Sequence, residues 1–201
     1  YPGLPGHPNS ESRLGDNNYA DCLVKLNGQT AAIEWFLNIK PHDLFDLDNH
    51  LSPILATIPR NGVDTDVVYS SGKHGLVVCV DAASGVEIWR TPVGKHSNDN
   101  LQTLPDTEYV EVFPGTLGGV ETPFAYAQGV VLVPVYNMAS YYNSTGISAE
   151  GIDITKTTGE LVALDAGTGS VLWDTELPSG LLGGATIVND LVFTGALDGV
   201  V

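Results

Sequence analysis

Basic residues, cysteine and long apolar runs are all scarce in this sequence. Only 8 of its 201 residues are Lys or Arg against 24 Asp or Glu, a formal net charge of −16. A surface of that sign repels phosphate backbones and anionic headgroups, which excludes nucleic-acid and peripheral-membrane roles. It suits an extracytoplasmic or high-salt setting, or a basic redox partner such as a cytochrome. No stretch is long enough to span a bilayer, so no transmembrane segment is expected. Nor does the sequence open on a signal-peptide pattern, which leaves a cleaved or upstream signal open. Cysteine is reduced to Cys22 and Cys79, each in an apolar strand-like run. Both read as small buried hydrophobes, and spacing neither requires nor forbids a disulfide between them. The histidines, His7, His42, His50, His74 and His96, lack zinc-ligand spacing. No window has a helical period, so the chain reads as almost pure β.

What it has instead is turn residues and a repeat. With 23 Gly, 12 Pro and 43% hydrophobic residues the composition suits a turn-rich β protein with a good core. Asp81, Gly85 and Trp89 in VDAASGVEIW share their offsets with Asp165, Gly169 and Trp173 in LDAGTGSVLW. A worn copy, LNGQTAAIEW, keeps Trp35 and has Asn27 and Ala31 at the other two offsets. Asp can bond nearby backbone amides and Gly can take positive φ, so each phrase is a hairpin ending in Trp. A Trp at a constant place can dock between neighbouring units. Four-stranded sheets stacked around an axis, a β-propeller, fit this best, the alternative being a β-sandwich with two hairpins alike by chance.

The tryptophans stand 54 and then 84 residues apart, giving about three to four blades with insertions in the second interval. An arc of blades leaves open sheet edges, so the chain is expected to be part of a larger protein or half of an assembly, with the missing blades mainly upstream. Residues 1–18 read as a loop entering a blade, 20–26 and 31–39 as the first hairpin, 51–58 and 67–69 as strands. Residues 96–107 read as a polar excursion, 124–136 as a strand pair around Gln128-Gly129, and 137–158 as a long loop carrying the sequon Asn143-Ser144-Thr145. Residues 186–201 read as two further strands.

Asp46 and Asp48 are two apart, so in extended backbone both leave the same face, roughly 6 to 7 Å apart at Cα. Such a pair can bracket a hard cation, or simply form a polar strand end. Lys73 stands in a turn, where a solvated lysine is equally compatible with the residues alone.

The phrase A-x-D-x-x-T-G-x-x-x-W resembles the tryptophan-docking repeat of the PQQ-dependent (quinoprotein) alcohol dehydrogenases, eight-bladed propellers with pyrroloquinoline quinone on the axis. RLGDNNY (residues 13–19), PHDLFDLD (41–48), SGKHG (71–75), TPVGKH (91–96) and FPGTLGG (113–119) occur in the family's order and span nearly the whole chain. The resemblance implies that residues 1–201 are one partial propeller domain from the C-terminal portion of such a protein. Asp46 matches the family's catalytic base, and Asp48 the extra metal ligand of lanthanide-type members, so both are expected at a calcium or lanthanide ion. Phe45 stands where Trp is usual. Lys73 matches the cation that hydrogen-bonds the quinone oxygens, while His42 and Asp43 are expected to brace the loop. The implied reaction oxidises an alcohol, sugar or polyol: Asp46 takes the hydroxyl proton, hydride passes to the metal-polarised quinone, and electrons go on to a cytochrome-type acceptor in a periplasmic, secreted or cell-surface setting. Two features depart from the pattern. Val120-Glu121-Thr122 follows Gly118-Gly119 where a cofactor-binding Asn and then Trp are usual, and the adjacent-cysteine ring is absent. Other metal ligands and the stacking tryptophan would precede residue 1. Competing readings are a non-catalytic PQQ-repeat propeller serving as a scaffold, and a surface-assembly protein built from an incomplete ring.

Overall fold

Short apolar runs, each closed by Gly, Asn or Asp, fold as antiparallel strands joined by tight turns. The computed structural model describes residues 15–148 and 152–201. In chain order the strands are β1 (Cys22–Leu26), β2 (Ile33–Asn38), β3 (Ile54–Arg60), β4 (Val63–Ser70), β5 (Leu76–Asp81), β6 (Glu87–Pro92), β7 (Val110–Val112), β8 (Ala125–Ala127), β9 (Val130–Asn137), β10 (Ser140–Asn143), β11 (Gly146–Ile147), β12 (Thr158–Asp165), β13 (Val171–Leu177), β14 (Thr186–Val188) and β15 (Leu191–Phe193). Helix among the described residues amounts to one 3-10 turn, Ile154–Lys156, so the near-pure β expectation holds.

Two four-stranded meanders, β3-β4-β5-β6 and β8-β9-β12-β13, are complete blades, and the pairs β1-β2 and β14-β15 are parts of two more. The first strands β3, β8 and β14 contact one another in succession and line the hub. This is an incomplete β-propeller, as the repeat implied.

The tryptophans join the blades. Trp35 Nε1–H donates to Ala82 O at 3.2 Å, and Trp89 Nε1–H donates to Ala166 O at 3.1 Å, each across a blade boundary. Both acceptors lie in an Asp-x-x-x-Gly turn. Asp81 Oδ1 accepts the N–H groups of Ala83 and Ser84, Asp165 Oδ1 those of Gly167 and Thr168, and in the worn copy Asn27 Oδ1 accepts those of Gln29 and Thr30. Gly85 and Gly169 both have φ of 72°, and Ala31 keeps a similar 57° despite its methyl group. A Cβ at Gly85 would lie 2.5 Å from the Trp35 ring, and one at Gly169 2.6 Å from Trp89. The indole therefore fills the space that any other side chain would need. Around Trp89, buried Tyr69, Val77, Val133 and Leu164 make one core across both complete blades, and Tyr69 O–H donates to Ala166 O at 2.9 Å.

Several strand boundaries differ from expectation. Asn61 and Gly62, at φ of 53° and 79°, form a two-residue turn that pairs Arg60 with Val63. Such turns match strand twist, so β3 and β4 run longer than 51–58 and 67–69. The expected loop 137–158 contains β10 and β11, which form a small extra sheet in the order β11-β10-β7 and account for the wide second tryptophan interval. Asn143 of the sequon is 4% exposed, and its Oδ1 accepts hydrogen bonds from Thr145 N, Thr145 Oγ1 and Gly146 N, so it shapes a turn from inside. The polar excursion 96–107 sends Leu101 and Leu104 down onto the buried cluster of Leu44, Phe45, Leu47, Val112 and Tyr142. Cys79 is buried and Cys22 partly so, and both are free thiols. The loop expected over 1–18 lies outside the described residues up to position 14, as do Arg13 and His7.

Replacing Gly169 with Ala should cost about 2–4 kcal/mol, from overpacking against Trp89 added to left-handed backbone strain. Gly129 has a similar φ of 80° and nothing within 4 Å of an added Cβ, so Gly129→Ala should cost only the backbone share. Calorimetric unfolding of the two variants measures the difference.

Candidate functional site

The segment before β3 cannot run extended, because Asp43 curls it. This 5%-exposed carboxylate accepts Phe45 N–H at 3.1 Å and Leu47 N–H at 2.6 Å. Asp46 takes a left-handed φ of 63°. The two acids therefore share a direction for a reason other than the expected alternation along a strand: a turn aims both at one point. Asp43 braces the loop as expected, whereas His42 Nδ1 is buried without a hydrogen-bond partner among the described residues.

That point is the ammonium of Lys73. Its Nζ lies 3.0 Å from Asp46 Oδ2 and 2.7 Å from Asp48 Oδ2. Burial pushes the lysine pKa down, but its hydrogen bonds to Asp48 and Asp46 outweigh that and hold it above the ordinary value. An ammonium has three N–H donors, and these two bonds leave one without a partner among the described residues. Lys73 N–H also donates to Asp48 O at 3.0 Å, and a Cβ at Gly72 would lie 2.1 Å from that oxygen, so the two loops meet backbone to backbone. Because Ile54 pairs with Tyr69, the approach to β3 and the exit of β4 share one end of the sheet. Val120 N–H of the next blade's approach loop donates to Gly72 O at 3.1 Å, and β3 contacts β8, so the trio sits at that end beside the innermost strands.

Thr116 and Asp21 complete the surroundings. Thr116 O–H donates to Asp46 Oδ2 at 3.1 Å; it belongs to FPGTLGG, so the signal was present in the sequence. Asp21 carries none. Burial, then the charges of Asp43, Asp48 and Asp46, raise its pKa to about 7. Behind the acid loop Tyr142 O–H donates to Phe45 O at 2.9 Å, and its ring meets Phe45 edge-on, so the extra sheet buttresses the site. His50 stands between the Asp48 and Glu121 carbonyls, and its Nε2 is 3.7 Å from Glu121 Oε2. Burial raises the Glu121 pKa, against the pull of His50 and Lys73.

The donor set suits a hard cation in part. Carboxylate oxygens are its natural ligands, but calcium takes about six to eight. No group of three or more His, Cys, Asp or Glu among the described residues could hold a metal ion. Asp46 and Asp48 can supply a share of such a shell. Lys73, with its open donor, suits an anionic or carbonyl oxygen.

Known proteins are similar to this chain over most of its length. Residues 9–95 match the family model "Glucose/ethanol/alcohol dehydrogenase, beta-propeller domain", and residues 145–201 match that of "Outer membrane protein assembly factor BamB". Quinoprotein alcohol dehydrogenase PedH of Pseudomonas putida KT2440 is 26% identical over 98% of this chain and 39% of its own length. The chain thus resembles the quinoprotein alcohol dehydrogenases over nearly its whole length. Quinohemoprotein alcohol dehydrogenase ADH-IIG of Pseudomonas putida is 23% identical over 92% of this chain and 32% of its own. A solved europium-containing methanol dehydrogenase superposes with a TM-score of 0.77 at 21% identity, over 97% of this chain and 40% of that one. The chain spans about two fifths of these relatives' length or less. No helix among its described residues is long and apolar enough to cross a membrane.

His74, beside Lys73, is fully buried. Its Nδ1 accepts Leu76 N–H at 3.0 Å, which places the proton on Nε2, 3.3 Å from Asn49 Oδ1. Burial, then the charges of Lys40 and Arg90, lower its pKa to about 3. The unfolded ring protonates near pH 6.5 while the folded ring does not, so this contribution is whole above 6.5 and is lost as pH falls. Asp21 titrates with the opposite sign between about 4 and 7, so the native curve alone mixes the two. Relative to His74→Gln, native protein should lose up to about 1.4 kcal/mol per pH unit below 6.5. Denaturant melts of both proteins at pH 7.5, 6 and 5 measure it.

Proposed function

We propose that the protein containing this segment oxidises an alcohol, or a sugar or polyol, with pyrroloquinoline quinone as hydride acceptor. The observation that carries the reading is the convergence of Asp46, Asp48 and Lys73 at the hub of a quinoprotein-type propeller. Residues 1–201 form one partial propeller domain, and the other blades and remaining metal ligands come from elsewhere in the ring. Asp46 is the base: its carboxylate accepts the substrate hydroxyl proton, and Thr116 and Lys73 hold it in place. Asp46 and Asp48 ligate a calcium or lanthanide ion. Lys73 turns its remaining N–H toward a cofactor oxygen and steadies negative charge there. The quinone, when bound, supplies the electrophilic carbonyl that protein side chains lack. Electrons leave to a cytochrome-type acceptor, which an acidic surface suits if that partner is basic, and the setting is extracytoplasmic.

A second reading has one observation in its favour. The match of residues 145–201 to the BamB model fits a propeller that binds or scaffolds without a cofactor. The full-length protein, loaded with PQQ and calcium or a lanthanide, separates the two. Primary alcohols should reduce an artificial electron acceptor, and Asp46→Asn should lower kcat/KM by about two to four orders of magnitude with the fold retained by circular dichroism. Full activity in that variant removes Asp46 as the base, and no turnover with any alcohol in the loaded native protein favours the scaffold.

A further inference from the structure

Each ring nitrogen of His96 faces a hydrogen-bond acceptor. Nδ1 lies 2.8 Å from Asp99 Oδ2, and Nε2 lies 3.2 Å from Gly75 O. One of these oxygens is a carbonyl. The other belongs to a carboxylate: burial would raise the Asp99 pKa, but the hydrogen bond and charge of His96 outweigh it and hold it below the ordinary value. A neutral imidazole has a single N–H, whereas the imidazolium has two. Only the imidazolium satisfies both contacts, and the neutral ring must turn a lone pair toward one of the two oxygens.

The seat of the ring is built into the SGKHG turn. Gly75 has a φ of 63°, and a Cβ there would lie 3.0 Å from His96 Nε2, so the imidazole edge takes the place of a side chain. Gly75 O also accepts Val93 N–H at 2.8 Å, which fixes the carbonyl. The charged and titratable groups around the contact, among the described residues, come from three segments. Asp99 is on the ring's own loop, Lys40 follows β2 and donates from Nζ to Asp99 O at 2.6 Å, and neutral His74 precedes Gly75. Burial opposes charge on His96, but the hydrogen bond and charge of Asp99, with the Gly75 carbonyl, outweigh it and raise the His96 pKa above the ordinary value.

The contact reaches the acid loop through the segment it fastens. Leu101 and Leu104 of that segment pack on the buried cluster of Leu44, Phe45 and Leu47, which brackets Asp46 in sequence. Asp99, Asn100 and Gln102 also help to wall a cavity of about 400 Å³ together with Lys40, His42 and His74. Tying His96 to the Gly75 turn therefore holds the segment that backs the acid loop.

We infer that His96 is a pH-sensitive latch, which as the imidazolium fastens residues 96–104 to the Gly75 turn and on losing its proton releases them and slackens residues 43–48. The latch is whole below about pH 6.5, where a free imidazole is itself protonated, and is lost as pH rises through the raised value of the folded protein. It depends on no bound cofactor and on no reading of the reaction.

Hydrogen exchange of the full-length protein, read by mass spectrometry from pH 6 to 9 and corrected for intrinsic exchange rates, tests this. Protection of peptides covering residues 97–104 and 43–48 should fall by up to about tenfold per pH unit above 6.5, while β9 stays constant as an internal reference. Asp21, beside the acid loop, titrates up to about pH 7, so the comparison is His96→Gln, which keeps Asp21 and gains no charge at any pH. In that variant protection of 97–104 should be low at pH 6 and level above it. In Asp99→Asn the fall should be smaller and end at lower pH, because the carboxylate that favours the imidazolium is gone. Level protection of 97–104 in the native protein overturns the latch, as does a fall that β9 shares or that His96→Gln retains. If His96→Gln does not fold, Asp99→Asn decides, and a fall of native size in it overturns the latch. A fall in 97–104 with 43–48 unchanged in every protein removes the coupling to the acid loop.

Discussion

The indole of each docking tryptophan occupies the space of a missing side chain. At Gly85 and Gly169 the approach of Trp35 and Trp89 is closer than any Cβ allows, and the N–H of each ring finds a carbonyl in the same turn. Burying an aromatic ring of this size contributes several times what one hydrogen bond does, so the contact can orient a whole blade against its neighbour. The turn that receives the ring is held by an Asp whose carboxylate satisfies two backbone amides. Blade orientation, and with it the hub, follows from that repeated fit.

Everything at the hub depends on loops whose geometry is set by backbone contacts. Gly72 and Gly119 let the Asp48 and Lys73 segments and the next blade's approach loop touch main chain to main chain. Lys73 is thereby brought beneath two carboxylates from a segment some 25 residues earlier in the chain. The ion pairs alone would not do this, since desolvation opposes half-buried charges. They are useful because the scaffold has already placed them.

Some of this was legible in the sequence and some was not. The docking phrase, with its Asp, Gly and Trp at constant offsets, specifies a hairpin and its neighbour, so the blades could be read directly. PHDLFDLD and SGKHG marked the acid pair and the lysine by resemblance. The route by which Asp46 and Asp48 converge was misread, because a buried Asp43 bonding two amides overrides the extended backbone that alternation assumes. The Asn61-Gly62 turn carried a local signal that the longer apolar runs on either side obscured. β10 and β11 gave none, since strands of four and two residues are too short to show a period, and they are stabilised by pairing of β10 with β7 and β11 and by Tyr142 against Phe45.

What the sequence determined by itself was the repeating unit: turn residues act over a few positions, and their effect on φ and on local amides does not depend on what lies elsewhere. Asp21 at the edge of the acid cluster, the neutral His74 bonded to Asn49, and the pocket shared by Leu117, Leu182 and Leu197 were decided by tertiary structure alone. Burial, neighbouring charge and enclosure are properties of residues gathered from distant parts of the chain, and they come into being only when the blades are set side by side.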